Sequence, residues 1–135
     1  MQVQACLSFG GRCEEALDFY KKAIGAEVSM LMRWKDSPDQ AMKGPPEYEE
    51  KVMHAAFKVG DTTLMADDGM GPEKAEFKGV MLSIGVPSDA EARRVFDALG
   101  EGAKIDMALT KTFWTSSFGA LHDKFGVPWM VNVEV

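Results

Sequence analysis

The spacing of apolar residues along the chain predicts two helices. In residues 12–24 apolar side chains recur at helical spacing, acidic residues occupy the first turns, and Gly25 follows where a C-cap belongs. The second helix begins at Ser88-Asp89-Ala90-Glu91, a capping box in which serine and glutamate side chains accept hydrogen bonds from the first free amides. It ends at Gly100 or Gly102. Each helix is expected to bury one face.

Short apolar segments predict eight strands. Most are bounded by glycine, proline or aspartate, which favour turns, and Gly60-Asp61 is a hairpin signal. The segments are 3–9, 26–34, 52–59, 62–66, 80–86, 104–109, 114–121 and 127–133. Residues 35–51 contain three prolines and form a loop that is long for a compact domain, which favours a lid or a disordered segment and leaves its role open.

The order of the predicted elements occurs twice. Glu15-Ala16 corresponds to Glu91-Ala92 at an offset of 76 residues, and residues 26–30 correspond to 103–107 at an offset of 77. Two copies of so long a unit indicate a duplicated module, since a solenoid stacks three or more shorter repeats. We expect one domain at 1–135, with module one at 1–68, a linker at 69–78 and module two at 79–135.

The predicted fold class is α+β, built from tandem βαβββ modules. Each module has a single amphipathic helix, which we expect to pack on the outer face of its own sheet. The other face of each sheet must then pack on something or line a cavity.

Composition narrows the class of protein. The chain has 135 residues and a net charge of −6, and its basic residues form no block, which argues against binding to nucleic acid. No apolar run approaches the roughly 18 residues of a membrane span. Residues 1–4 lack the basic and apolar regions of a signal peptide. We therefore expect a cytoplasmic protein with neither a nucleic-acid nor a membrane partner.

Three segments carry a resemblance to a known family. They are Glu14–Tyr20 in the first helix, Thr112–Trp114, and Asp123–Asn132 near the C-terminus. With the duplicated βαβββ unit, they make the whole chain resemble the PhnB-like group of the glyoxalase, or vicinal-oxygen-chelate, superfamily, a group also labelled demethylubiquinone methyltransferase-like. The resemblance implies curled mixed sheets around a cavity, commonly within a homodimer. The sequence has no glycine-rich strand-to-helix turn for a nucleotide-like cofactor, so it gives no support to a methyltransferase activity.

The resemblance also implies four positions for metal ligands. In metal-dependent members of the superfamily, His, Gln or Glu on the first and last strands of each module bind a divalent ion that chelates two substrate oxygens. Those positions fall on Ala5, near Leu64, on Val80 or Met81, and on Met130. Apolar side chains do not ligate a hard or borderline divalent ion, so we predict neither a metal nor another cofactor.

We therefore predict a protein that binds a small apolar or amphipathic molecule without a metal. The predicted pocket residues are Ala5, Leu7, Leu64, Met81, Trp114 and Met130. Methionine is flexible and polarizable, which suits an adaptable apolar surface as well as an ordinary core. Of the ten methionines, Met30 and Met107 occupy equivalent positions of the two modules. Trp34 and Trp129 suit either a pocket or the core.

Three polar side chains support an alternative function, that of a divergent lyase or isomerase of the same superfamily. His54 and His122 are the only histidines, and either can transfer a proton near neutral pH. Asp67, at the end of the fourth strand, can bind a cation or orient an amine. Each also has an ordinary interpretation: the histidines as residues on the surface of a strand, and Asp67 as a turn residue. Neither histidine has a sequence neighbour that would fix its tautomer. A non-standard metal site and a structural dimeric module with a filled cavity are further alternatives.

Overall fold

The structure is a computed structural model that describes residues 1–39, 46–71 and 74–134. In chain order its helices and strands are β1 (Cys6–Ser8), α1 (Cys13–Ile24), β2 (Glu27–Arg33), β3 (Val52–Val59), β4 (Thr62–Asp67), β5 (Leu82–Val86), α2 (Asp89–Leu99), β6 (Lys104–Thr110), β7 (Phe118–His122) and β8 (Pro128–Val133). The predicted loop at 35–51 contains a one-turn 3-10 helix at Pro46–Tyr48, and its residues 40–45 lie outside the described residues, as do 72–73 of the predicted linker. In the described part of the chain, no helix has the length and apolar character needed to cross a membrane.

The strands form two four-stranded sheets of the same topology. The strand order is β1-β4-β3-β2 in the first and β5-β8-β7-β6 in the second. In each sheet the first and last strands of the module pair in parallel, and the other pairs are antiparallel. The predicted α+β class and the tandem βαβββ order are therefore confirmed. The chain divides into two compact units, Met1–Ala75 (unit one) and Glu76–Val135 (unit two), and the division falls inside the predicted linker.

The largest differences from the predicted strands occur at β1 and β7. β1 covers only part of the expected 3–9 segment, because it is an edge strand that pairs with β4 over Cys6–Ser8 alone. β7 begins at Phe118 instead of residue 114. The hydroxyl of Thr112 accepts a hydrogen bond from the backbone N–H of Trp114 at 3.3 Å, which holds this stretch in a turn.

The apolar stripe of α1 covers one face of the first sheet. Tyr20 of the helix stacks on Phe57 of β3, with ring centroids 6.1 Å apart and ring planes 12° apart. Strand register places Leu64 and Leu7 on this same face, where both are buried. The buried side chains of α1 are Cys13, Ala16, Leu17, Phe19, Tyr20 and Ala23. Burial of these groups supplies the core of unit one.

A buried aspartate joins several chain segments of unit one. Asp68 directly follows β4, and its carboxylate accepts hydrogen bonds from the backbone N–H groups of Gly11 (2.9 Å), Cys13 (2.8 Å) and Val52 (2.8 Å). These donors belong to the β1–α1 turn, the first residue of α1 and the first residue of β3. A carboxylate is tolerated in a protein interior when donors satisfy it in this way.

In unit two, α2 packs on the second sheet. Ser88 accepts a hydrogen bond from the backbone N–H of Glu91 at 3.2 Å, which confirms one half of the predicted capping box. The Glu91 carboxylate instead accepts hydrogen bonds from Arg94, the shorter at 2.9 Å. Phe96 of α2 lies so close to Gly119 of β7 that a Cβ there would lie 2.6 Å from its ring. Glycine is therefore required for the close approach of helix and sheet.

Unit two has its own buried aspartate, between β7 and β8. Asp123 accepts hydrogen bonds from the backbone N–H of Val127 at 3.0 Å and from the indole N–H of Trp129 at 2.8 Å. The turn that it holds contains Gly126, whose φ of 89° suits glycine, as does the φ of 56° at Gly60 in the equivalent turn of unit one. Much of the C-terminal segment that carries the family resemblance thus serves packing.

Each sheet carries a bulge at the same place. The register of β2 against β3 shifts between Val28 and Met30, and that of β6 against β7 shifts between Ile105 and Met107. The duplication therefore extends to an irregular detail of the strands.

Replacing Asp68 is expected to destabilise the protein strongly. Asp68→Ala removes the acceptor of three backbone N–H groups, and we expect the free energy of unfolding to fall by at least ~3 kcal/mol. Urea denaturation followed by circular dichroism measures the change. The control is Asp61→Ala, which removes an exposed carboxylate from the β3–β4 turn and should cost less than ~0.5 kcal/mol. Equal losses in the two variants would contradict the role of Asp68.

Candidate functional site

Each sheet has a face opposite the one its helix covers, here called the open face. In unit one, strand register places Cys6, Met65, Ala56 and Met30 side by side across β1, β4, β3 and β2. Residues paired in this way share one face of a sheet. We call this set methionine row one.

The open face of unit two carries a matching set. Ser83, Met130, Ala120 and Met107 lie side by side across β5, β8, β7 and β6, and we call them methionine row two. Both rows have the order small residue, methionine, alanine, methionine. The outer methionines keep 39% (Met30) and 45% (Met107) of their surface exposed. The equivalence of these two residues, predicted from the repeat, is confirmed by the register.

Two of the predicted pocket residues of unit one, Leu7 and Leu64, do not lie on the open face. Leu7 and Leu64 are buried on the helix-covered face, because side chains alternate along a strand and a shift of one residue changes the face. Their neighbours Cys6 and Met65 face the open side and replace them there. Ala5 precedes β1, and its carbonyl accepts a hydrogen bond from the backbone N–H of Met65 at 2.9 Å.

Of the predicted pocket residues of unit two, Met130 and Met81 occupy different positions relative to the sheet. Met130 lies in methionine row two. Met81 and Val80 precede β5 and are exposed, so that Ser83 takes the β5 place in the row.

Aromatic side chains lie beside methionine row two. The ring of Trp114 meets that of Phe118, an open-face residue of β7, edge-on at a centroid distance of 5.3 Å. Phe113, which is 97% exposed, meets Trp114 at 4.9 Å. Trp34 and Trp129 are buried, so of the three tryptophans Trp114 alone extends an accessible apolar surface.

Asp67 ends β4 on the same face as Met65. Its Oδ1 accepts hydrogen bonds from the hydroxyl of Ser8 at 2.5 Å and from the backbone N–H of Gly69 at 2.9 Å. Its Oδ2 lies 3.6 Å from the Cys6 thiol. Asp67 therefore stabilises a turn and also presents a carboxylate on the open face.

The histidines have different surroundings. Both lie on open faces, with His54 of β3 opposite Met32 of β2. The Nδ1 of His122 lies 2.5 Å from the Oδ2 of Asp106 in β6. Neither histidine has a sequence neighbour that would fix its tautomer, but strand pairing and the β6 bulge bring Asp106 beside His122 from 16 residues away. In the neutral ring, an Nδ1–H donated to Asp106 leaves Nε2 to accept a proton.

Neither cysteine is poised for nucleophilic chemistry. Burial, followed by the charges of Asp68 and Asp67, raises the pKa of Cys13 well above its ordinary value. Desolvation raises the pKa of Cys6 to about 11, with further contributions from the charge of Asp67 and the hydrogen bond to it. Both thiols are therefore protonated near neutral pH.

Unit one also contains a polar cleft of about 260 Å³. It is lined by Gly11, Glu14, Arg33, Glu50, Lys51, Val52 and Asp68. Its charged groups already have partners within the chain. Arg33 pairs with Glu14 at 2.7 Å, and Lys51 donates a hydrogen bond to the Gly11 carbonyl at 2.9 Å. The cleft is therefore a weaker candidate than the open faces.

Comparison with known proteins identifies the family. The family model described as 3-demethylubiquinone-9 3-methyltransferase matches residues 1–132. The chain belongs to this PhnB-like family. Protein YjdN from Escherichia coli (strain K12) is 34% identical to it over 140 residues, which cover 98% of this chain and 95% of the relative.

Solved structures support the PhnB-like assignment. Protein PA1353 from Pseudomonas aeruginosa superposes with a TM-score of 0.87 at 40% identity, covering 99% of this chain and 98% of that one. The putative 3-demethylubiquinone-9 3-methyltransferase, PhnB protein, from Bacillus cereus has a TM-score of 0.82 at 26% identity, with coverage of 99% and 100%. A glyoxalase-related enzyme from Fulvimarina pelagi shares the fold at 14% identity and a TM-score of 0.64, with coverage of 99% and 88%. The predicted PhnB-like group is thereby confirmed, and its fold is shared with a glyoxalase-related enzyme.

The donor groups of this PhnB-like chain do not fit a hard divalent metal. Where the first and last strands of each module meet on the open face, Cys6 pairs with Met65 and Ser83 with Met130. A thiol, a hydroxyl and two thioethers are not the carboxylate, carbonyl and water oxygens that a hard divalent ion prefers. Within residues 1–39, 46–71 and 74–134, no three His, Cys, Asp or Glu side chains are grouped as metal ligands.

The β1–α1 turn of the PhnB-like chain does not suit a nucleotide-like cofactor. Gly10-Gly11 lies between a strand and a helix, where such cofactors often bind to free backbone N–H groups. Here the N–H groups of Gly11 and Cys13 donate to the Asp68 carboxylate, which takes the place of an anion. The turn therefore lends no support to the methyltransferase activity in the family's description.

The reactivity of Cys6 is expected to report on Asp67. Asp67→Asn removes a negative charge beside the thiol but leaves its desolvation, so the pKa of Cys6 should fall from about 11. Iodoacetamide reacts with the thiolate, and its rate at about pH 8.5 should therefore rise several-fold. Cys6→Ser supplies the background from Cys13, and Asp61→Asn is the matched carboxylate control. An unchanged rate in Asp67→Asn would argue against the contact.

Proposed function

We propose that this PhnB-like protein binds a small apolar or amphipathic molecule, without a metal, on the open faces of its sheets. The observation that carries the proposal is the pair of matching methionine rows. Ligand sites are mostly apolar, with a few polar groups that fix orientation. Methionine side chains adapt to ligands of varied shape, since they are unbranched and polarizable.

The groups around the rows support an amphipathic ligand. In unit two, Phe118 and Trp114 extend the apolar surface, while the Ser83 hydroxyl and the Asn132 amide, 3.5 Å apart, supply polar contacts. In unit one, Asp67 lies on the same face as methionine row one. A molecule with an apolar body and one polar end matches this arrangement.

Two further features belong to the same proposal, a homodimer and a cytoplasmic location. The exposed side chains of Phe113 and Ile105 support a homodimer, because large apolar groups left in water favour an interface. That the open faces line a cavity also stays a prediction.

Substitution of the outer methionines tests the proposal. N-Phenyl-1-naphthylamine, a neutral apolar dye, should bind saturably and brighten. Met30→Gln and Met107→Gln keep the side-chain length but place an amide in the row, so each should weaken binding by roughly threefold to tenfold. Fluorescence titration measures the affinities.

Met70→Gln is the matched control, because Met70 lies outside the sheets and is 75% exposed. The dye's affinity for this variant should equal that of the unaltered protein. Absence of saturable binding, or an equal loss in Met70→Gln, would refute the proposed binding face. Stoichiometric tight binding of Ni²⁺, Zn²⁺ or Fe²⁺ would refute its metal-free character.

A second candidate function, that of a lyase or isomerase, rests on the contact between His122 and Asp106. A carboxylate that orients an imidazole prepares the other ring nitrogen to accept a proton from a substrate. His122 lies on the same open face as methionine row two, so a bound molecule would lie within reach of a base.

Activity assays on a panel of glyoxalase-type substrates test this second function. His122→Ala should lower kcat by at least ~100-fold, and Asp106→Asn should lower it less, because the base remains but loses its orienting partner. His54→Ala is the control, since it removes the other histidine. If the unaltered protein turns over none of these substrates, or if His122→Ala matches it, the protein is not an enzyme of this type.

A further inference from the structure

Over one step along the strands, the open face of unit one changes from apolar to polar on β1, β4 and β3, whereas β2 keeps a methionine there, Met32. Two residues beyond methionine row one, which is roughly 7 Å along the strands, the same face carries Ser8 on β1, Asp67 on β4 and His54 on β3. We call these three residues the polar row. An apolar stripe bordered by a carboxylate is complementary to an amphiphile, which has an apolar chain and a polar head group.

The geometry of Asp67 leaves one oxygen available for a ligand. Its Oδ1 accepts two hydrogen bonds, from Ser8 and Gly69. Among the described residues, the donor recorded at its Oδ2 is the Cys6 thiol at 3.6 Å, and a thiol is a weak donor. Both partners of Oδ1 are hydrogen-bond donors. Oδ2 is therefore the oxygen that Asp67 can offer to a ligand as an acceptor.

Asp67 also has no cationic side-chain partner among the described residues. The ion pairs of basic residues in unit one go to other carboxylates: Arg12–Glu15, Lys21–Asp18, Arg33–Glu14 and Lys35–Glu50. Lys58, on the same face, is four residues from His54 along β3, or roughly 13 Å, and lies opposite Glu27. A partly buried carboxylate beside thioethers gains more from a cation than one surrounded by water.

The equivalent position in unit two carries no charge. Asn132 lies two residues beyond Met130 on β8, as Asp67 lies two residues beyond Met65 on β4. The carboxylate of Glu134 does lie over Gly85, where a Cβ would meet it at 2.5 Å, so this side chain must be tested as a rival. The two units thus share an apolar row and differ in the polar group beside it.

We propose that the ligand bound by unit one is a cationic amphiphile, with its apolar chain along methionine row one and its ammonium group on Asp67. The proposal rests on the proposed binding function and names the ligand class of that site. An ammonium group donates hydrogen bonds, and Oδ2 accepts one while the ligand supplies the missing counter-charge.

Three ten-carbon amphiphiles with different head groups test this assignment. Decylamine, decanol and decanoate are titrated by calorimetry below their micelle concentrations, near neutral pH. Decylamine should bind at least ~10-fold more tightly than decanol, and decanoate should bind most weakly. Asp67→Asn should bring decylamine to within ~3-fold of decanol, because an amide supplies no counter-charge for the ammonium group. A circular dichroism spectrum and a urea midpoint equal to those of the unaltered protein show that the variant is folded.

Two matched carboxylate variants locate the effect. Asp61→Asn and Glu134→Gln should both retain the preference for decylamine. Loss of the preference in Glu134→Gln but not in Asp67→Asn would overturn the assignment to unit one. Equal binding of all three amphiphiles would also overturn it, while leaving the proposed binding function intact. If none of the three binds, the proposed function itself fails.

Discussion

Two buried carboxylates hold the backbone of this protein where the chain changes direction. Asp68 is the common acceptor for a turn, a helix start and a strand start that are distant in sequence, and Asp123 holds the last turn of the chain. Because a buried carboxylate that loses its donors is strongly destabilising, these segments cannot move independently. The open face of unit one depends on this constraint, since Asp68 fixes the end of β4 and hence the position of Asp67, one residue earlier.

Local signals are enough to predict α1, β3 and the duplicated order of elements, because each has a marker such as a capping glycine or a helical stripe. The face assignment in β4 has no such marker. Leu64 and Met65 are both apolar, so a one-residue error goes unnoticed in the sequence but reverses the face. The contact between Asp106 and His122 depends on strand register and a bulge, and neither can be read from local composition.

The two units illustrate how a duplicated scaffold can keep its shape and change its chemistry. The methionine rows match position by position, down to the bulges beside Met30 and Met107. The groups next to the rows differ, with a carboxylate at Asp67 and an amide at Asn132. The fold is therefore common to both halves, whereas recognition is decided by a few side chains at the border of each apolar stripe.

The bulges also bear on how the edges of the two sheets can pair. β2 and β6 are each the outer strand of their own sheet, and the unpaired backbone groups of such a strand can template aggregation with a neighbouring molecule. A register shift in the strand interrupts the regular spacing of those groups, so an incoming strand cannot pair along the whole edge. The half-exposed methionines Met30 and Met107 therefore lie on strands whose edges are poor templates for pairing with another molecule.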